Sequence, residues 1–159
     1  MTEFLDREDV LTAGAAAVGQ VLKVSDYGLL DAAVVRPRAT VFGLDAYPDD
    51  LAKAAALLQS IARNHALVDG NKRTAWAAAW TFLYINGTEL GEFDVDDAEE
   101  FMNAVATNAT MTVDHIANKL RVLCNCVTVT KLAVAQGAHR SASNGVGRRN
   151  DDAAKLTDI

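Results

Sequence analysis

The sequence has few cysteines and no long uninterrupted run of apolar residues. Its two cysteines, Cys124 and Cys126, are separated by a single residue, and a structural zinc site would need two further ligands at suitable spacing. We therefore interpret them as reduced thiols. A membrane-spanning helix needs about 18 consecutive apolar residues, which are absent, and the N-terminal residues lack the order of a signal peptide. These absences predict a cytoplasmic protein without a membrane partner.

Basic residues are also in the minority. The 159-residue chain carries 15 lysines and arginines against 21 aspartates and glutamates, a net charge of −6. A surface of this sign repels the nucleic-acid backbone, so we expect no direct nucleic-acid partner, although a local positive pocket could bind a small phosphorylated ligand. Hydrophobic residues make up 50% of the chain, which is enough for one buried core in a single domain of this length.

Helical periodicity is present from the N-terminus onward. Apolar positions recur at helical spacing over residues 6–23 and again over residues 29–34. Arg36-Pro37 should end the second helix, because proline disfavours a helical conformation in the residue before it. Residues 38–46 then indicate an extended or hairpin-like segment.

A second group of helices is predicted in the middle of the chain. The sequence from Pro48 to Asp50 is typical of a helix start, with proline in the first turn and carboxylates near the positive end of the helix dipole. The apolar face that follows continues to about Asn64. A further apolar run over residues 75–85 ends at Asn86-Gly87, which predicts a helix C-cap.

Two more helices follow. Asp96 and Glu99 have the spacing of a capping box and predict a helix that continues to about Asn108. Thr112 can cap a last helix that reaches Leu123. Together these patterns predict an all-α fold of about six helices with a short extended segment.

The junction between the two middle helices carries the chemistry. Asp69-Gly70-Asn71 is a turn signal, and the helix that starts after it presents backbone N–H groups without intrahelical partners. A glycine before such a helix lets a ligand approach the backbone closely, so this turn predicts an anion site. Lys72 adds a point charge and Arg73 adds a planar fork that can grip two phosphate oxygens.

Two residues beside this anion site suggest a reaction. A single carboxylate next to phosphates is a usual way to hold Mg²⁺, and Asp69 is placed for that role. His65 lies a few residues before the turn, and an imidazole with an unperturbed pKa of about 6.5 suits a general base at neutral pH. The motif therefore predicts phosphate-transfer chemistry on a nucleotide.

The run from His65 to Thr74, His-x-x-x-Asp-Gly-Asn-Lys-Arg-Thr between two helices, resembles the signature of the Fic/Doc family, His-x-Phe-x-(Asp/Glu)-Gly-Asn-(Gly/Lys)-Arg. The resemblance implies a compact Fic-type helical bundle with a flap at the extended segment. It also implies ATP and Mg²⁺ as co-substrate and cofactor. The implied site consists of a base, a magnesium ligand and a phosphate-binding group: His65, Asp69, Gly70, Asn71, Lys72 and Arg73.

The flanks of the motif extend the resemblance to the Doc branch of the family over residues 1–124. We interpret that range as the Fic/Doc domain and residues 125–159 as a weakly ordered C-terminal appendage, because residues 136–150 are rich in Gly, Ser, Arg and Asn. Residues 127–129 alternate like a strand. Arg36 and Arg38 flank the flap, where they could align a target polypeptide or be ordinary surface arginines.

Three positions depart from the wider family pattern. Leu67 replaces the phenylalanine, Lys72 stands where adenylylating members have a second glycine, and Trp76 stands where those members have a further arginine. Lys72 is typical of Doc-like members. The resemblance therefore implies a toxin that transfers the γ-phosphate of ATP to a hydroxyl of elongation factor Tu, arrests protein synthesis and is neutralised by a cognate antitoxin. The alternatives are a protein adenylyltransferase and an inactive scaffold that binds the antitoxin.

Overall fold

The computed structural model describes residues 1–123, and six α-helices account for most of these residues. A turn of 3-10 helix (Arg36–Arg38) and an antiparallel hairpin of β1 (Thr40–Val41) and β2 (Leu44–Asp45) separate the second helix from the third. The predicted all-α bundle with a short extended flap is confirmed. The helices are α1 Arg7–Val18, α2 Tyr27–Val35, α3 Asp50–Asn64, α4 Asn71–Ile85, α5 Val95–Thr107 and α6 Val113–Leu123.

Helix α3 is the central helix of the bundle. Every residue from Leu51 to Ala62 is buried, and α3 packs against α2, α4, α5 and α6. A helix that is buried on all sides must be surrounded by other elements, and its many alanines let those neighbours approach closely. The C-terminal end of α3 is therefore held firmly by the core, and the motif begins there.

No helix within residues 1–123 is long and apolar enough to cross a membrane.

Helix α1 packs closely against α4 at a glycine. A Cβ atom on Gly14 would lie 2.5 Å from Oγ1 of Thr74, so any larger residue would push the two helices apart. Arg7 fastens α1 to α2 through two hydrogen bonds to Asp31, of 2.6 and 2.5 Å, and this contact lowers the pKa of Asp31 from its ordinary value. The close approach at Gly14 sets the distance between α1 and α4, and α4 carries the last four residues of the motif.

Two helix boundaries differ from the sequence predictions. Helix α1 ends at Val18, short of residue 23, because Gly19 adopts the left-handed conformation and closes the helix. Helix α3 begins at Asp50 with Asp49 as its N-cap, so Pro48 precedes the helix and does not lie in its first turn. In both cases a residue with capping geometry sets the boundary: Gly19 ends α1, and the Asp49 side chain caps α3.

The predicted capping box at the start of α5 is wrong. Asp94 is the N-cap, and its side chain accepts hydrogen bonds from the backbone N–H groups of Asp96 and Asp97. The predictions at Thr112 and at Gly87 are confirmed: the threonine hydroxyl accepts from the N–H of His115, and the glycine follows α4 in the left-handed conformation. The strand predicted over residues 127–129 and the appendage predicted over residues 125–159 lie outside the described residues.

The hairpin between α2 and α3 is the extended flap that the sequence predicted. Phe42 and Gly43 form its turn with positive φ angles of 52° and 79°, the conformation that matches the twist of paired strands. Arg36 donates to Tyr47 and to Ser60, and the guanidinium of Arg38 stacks over a phenylalanine ring near the N-terminus. Both arginines therefore pack the flap region against the body of the protein.

Lys53 anchors the flap to α3. Its side chain is only 4% exposed, and its Nζ donates to Oδ2 of Asp45 at 2.7 Å and to the carbonyl of Tyr47 at 2.6 Å. The ammonium group is buried, whereas the Asp45 side chain is 61% exposed. The two partners should therefore respond differently to substitution.

We expect Asp45→Ala to destabilise the protein by about 1–3 kcal/mol, because it leaves a buried ammonium with one carbonyl acceptor. Lys53→Met should cost less, because it leaves a carboxylate that water can reach and fills the same buried space. Urea unfolding of both variants and of the double variant measures these costs. A larger loss for Lys53→Met than for Asp45→Ala would contradict this interpretation.

Candidate functional site

His65 ends α3 and begins the motif loop. It is exposed and adopts the left-handed conformation, with φ 50° and ψ 39°. Only a few per cent of residues other than glycine have positive φ, and such strain persists where the surrounding structure enforces it. Within residues 1–123 no side chain hydrogen-bonds to the imidazole ring, so both of its nitrogens are open to a ligand. This geometry fits the base role predicted for His65.

The loop after His65 is held by the segment between α1 and α2. Leu67 pairs with Val24 in an isolated antiparallel bridge, and the backbone N–H of Val68 donates to the carbonyl of Lys23 at 2.9 Å. The side chain of Leu67 is buried. The leucine therefore fills the core where the family signature has phenylalanine, and the loop keeps an apolar anchor.

Asn71 closes the loop onto the start of α4. Its Oδ1 accepts from the N–H of Leu67 at 3.0 Å, and its Nδ2 donates to the carbonyl of Leu67 at 2.8 Å. Both ends of the amide are thus used to shape the loop. If Asn71 binds a phosphate, as the sequence predicts, the group that remains for this contact is its backbone N–H.

The N-terminus of α4 is open. Gly70 is the N-cap residue with φ 79°, and no side chain caps the helix. A Cβ atom at Gly70 would lie 2.8 Å from Cγ2 of Val18, so the position requires glycine for both its conformation and its space. The first N–H groups of the helix, from Asn71 to Arg73, have no intrahelical acceptor. The anion site predicted from the sequence lies at these N–H groups.

Three charged side chains surround this helix end. Oδ1 of Asp69 accepts from the N–H of Gly70 at 2.7 Å, and Oδ2 lies 3.9 Å from Nη2 of Arg73. The Asp69 side chain is 75% exposed. Lys72 extends away from this pair, and its Nζ donates to Oδ1 of Asn103 on α5 at 2.5 Å. The two cations thus have different partners, one on α5 and one in the motif loop.

All of these groups face one cavity of about 560 Å³. The motif forms one wall, and every residue that the sequence predicted for the site lines it. The opposite wall comes from α5, and the remaining space is bounded by α3 and the motif loop. The lining residues are Ala62, His65, Val68, Asp69, Gly70, Asn71, Lys72, Arg73, Asn103, Ala106 and Thr107.

The sequence motif did not predict the α5 wall. Asn103, Ala106 and Thr107 have the i, i+3, i+4 spacing of one helical face, and this spacing was a signal in the sequence. The sequence alone could not show that this face turns toward a motif some thirty residues earlier. Tertiary packing of α5 against α3 and α4 brings it there.

The donor set fits Mg²⁺ held jointly with phosphates. Within residues 1–123 no group of three or more His, Cys, Asp and Glu side chains could hold a metal ion. Asp69 offers one exposed carboxylate beside an open helix N-terminus. Mg²⁺ commonly takes one or two carboxylates and completes its coordination with phosphate oxygens and water. The site therefore suits the metal only together with a phosphorylated ligand.

Comparison with known proteins agrees with this geometry. The model of the Fic/DOC family matches residues 3–83, which include the whole motif. The chain belongs to the Fic/DOC family. It is 71% identical over 121 residues to the protein named toxin Doc from Mycolicibacterium smegmatis (strain ATCC 700084 / mc(2)155), an alignment that covers 76% of this chain and 92% of that protein. The resemblance to the Doc branch is thereby confirmed.

Proposed function

We propose that this Fic/DOC-family protein is a Doc-like toxin that transfers the γ-phosphoryl group of ATP to a hydroxyl side chain of a protein. The observation that carries the proposal is the position of Lys72. Its side chain extends from the first turn of α4 to Asn103 on the opposite wall, within the cavity. A lysine there occupies space that a glycine would leave open and adds positive charge at the phosphate site. This arrangement favours the kinase chemistry of Doc-like members over adenylylation.

The residues of the cavity divide the reaction between them. His65 takes the proton of the attacking hydroxyl, whose oxygen forms a bond to the γ-phosphorus while the bond from phosphorus to the bridging β,γ-oxygen breaks and ADP leaves. The N–H groups at the start of α4 bind the phosphates, and Lys72 and Arg73 stabilise their negative charge. Asp69 would hold Mg²⁺, which neutralises phosphate charge when bound.

The proposed substrate is elongation factor Tu, as the resemblance to Doc implies, and a cognate antitoxin is the proposed neutralising partner. The relative from M. smegmatis is named a toxin, which supports this assignment. Expression of the chain alone should stop growth and lower the rate of protein synthesis. Growth should return when the antitoxin is supplied.

Mass spectrometry of elongation factor Tu, incubated with the protein, ATP and Mg²⁺, tests the proposal. The expected result is a mass gain of one phosphoryl group. A gain of one adenylyl group would show an adenylyltransferase and overturn the kinase assignment. An unchanged mass, together with growth arrest that needs no His65, would point to a scaffold without enzymatic activity.

We expect Lys72→Gly to slow phosphoryl transfer and to allow some adenylyl transfer. Removing the side chain opens the loop, so that ATP can bind in the reverse sense and place its α-phosphate near the hydroxyl activated by His65. Product masses from parallel reactions measure both rates. Lys119→Gly on α6 is the matched control, because it also removes an exposed helical lysine. If Lys72→Gly phosphorylates at the original rate, Lys72 does not select the nucleotide orientation.

We expect Asp69→Asn to raise the Mg²⁺ concentration needed for half-maximal activity by at least about tenfold, since an amide oxygen is a weaker magnesium ligand than a carboxylate. Stability should change little, because the ion pair of Asp69 with Arg73 is exposed. Magnesium titrations of the transfer rate measure the first effect, and thermal unfolding measures the second. Asp114→Asn in the first turn of α6 is the control. An unchanged magnesium dependence would contradict the metal role.

A further inference from the structure

Asn103 connects the α5 wall of the cavity to the motif. Its Oδ1 accepts the hydrogen bond from Nζ of Lys72 at 2.5 Å, although the two residues are 31 positions apart in the chain. Asn103 lies beyond residue 83, where the match to the family model ends. The motif therefore does not include this contact, and the packing of α5 creates it.

The backbone that carries Asn103 is firmly held. Thr107 donates from its hydroxyl to the carbonyl of Asn103 at 2.8 Å, one helical turn further along α5. Arg63, from the buried helix α3, donates to the carbonyls of Val105 and Asn108, both at 2.8 Å. These bonds tie the end of α5 to the centre of the bundle. A hydrogen-bond acceptor on this support has a fixed position relative to α4.

The chemistry of the asparagine side chain suits this place. A free lysine side chain loses rotamer entropy when it is immobilised, and one fixed acceptor removes part of that cost before a ligand arrives. An ammonium group has three N–H donors, so two remain for phosphate oxygens. The amide is neutral, and within residues 1–123 Lys72 forms no ion pair. Its full positive charge is therefore left for the ligand.

We propose that Asn103 is a positioning residue that holds the ammonium group of Lys72 in place for the phosphates of the nucleotide. The inference rests on the proposed function to the extent that the phosphates are those of ATP. It gives α5 a role in nucleotide binding, in addition to the role of the motif. Asn103 acts through Lys72, so its effect must vanish when Lys72 is absent.

A double-mutant cycle on ATP binding tests this dependence. Asn103→Leu keeps the size of the side chain and removes the acceptor, and we expect it to weaken the Kd of the protein for ATP with Mg²⁺ by about three- to tenfold. In a Lys72→Met background, Asn103→Leu should change the Kd less than about twofold. Losses that simply add would overturn the proposal. Asn118→Leu, at an exposed asparagine on α6, is the matched control and should bind ATP like the wild type.

A second measurement is independent of the reaction. The ammonium signal of Lys72 in ¹H–¹⁵N NMR spectra, assigned from its loss in Lys72→Met, should be visible because the hydrogen bond slows proton exchange. Asn103→Leu should remove or broaden it, while Asn118→Leu should not. An unchanged signal in Asn103→Leu overturns the positioning role, whatever the activity. If the wild-type protein does not phosphorylate elongation factor Tu but Asn103→Leu still removes the signal, the positioning role is supported and the proposed function is rejected.

Discussion

His65→Ala is expected to lower the rate of phosphoryl transfer by about 10²- to 10⁴-fold, the usual contribution of a general base, and to leave ATP binding within a few-fold of the wild type. The reason is that, in the proposed reaction, the imidazole acts on the attacking hydroxyl and not on the nucleotide. His65 is exposed and lines the same cavity as the residues of the proposed phosphate site. Single-turnover transfer rates and calorimetric titration with ATP measure the two quantities.

The left-handed backbone of His65 calls for a second variant. Alanine tolerates φ 50° poorly, so part of any loss in His65→Ala could come from a distorted loop. Asparagine adopts this conformation readily but cannot act as a base near neutral pH, so His65→Asn separates the two effects. Both variants should be equally inactive, while His115→Ala on α6 should be fully active. A rate in His65→Asn above about a tenth of the wild-type rate would contradict the base assignment.

Trp76→Arg is expected to lose at least about 4 kcal/mol of the free energy of unfolding, a large part of the stability of a single domain. Trp76 is 1% exposed and packs against Phe93 and Trp80, with ring centroids 5.1 and 5.7 Å away. Its indole N–H has no hydrogen-bond partner among the described residues, so the surroundings are apolar. An arginine would bury an unpaired charge there and leave unfilled space.

Urea unfolding followed by circular dichroism measures this loss, and Trp76→Phe, which keeps an aromatic ring, should lose much less. A Trp76→Arg variant within about 1 kcal/mol of the wild type would show that the side chain can leave the core. The result also bears on adenylylation. The family resemblance places a phosphate-binding arginine at this position in adenylylating members, but here the side chain packs in the aromatic core. Introducing the arginine alone should therefore destabilise the protein and should not create a new contact with the nucleotide.

The sequence by itself was enough to predict the motif and the helices. His65, Asp69 and the start of α4 lie within a few residues of one another, so their proximity follows from a turn between two helices and needs no knowledge of distant contacts. The six helices follow from apolar periodicity, and the hairpin follows from Arg36-Pro37 and the extended pattern after it. These features depend on interactions between residues close in the chain, which spacing and residue type determine.

Tertiary structure alone decided which side chains complete the site. Asn103 meets Lys72 across 31 residues because α5 packs against α3 and α4, and no local pattern records that packing. Trp76 lies only two residues after the motif, yet its side chain packs in the core within an aromatic cluster. The side chain of Asn71 shapes the loop because the backbone of Leu67 folds back to meet it. Contacts of this kind depend on how whole helices and loops pack, which is a property of the complete fold.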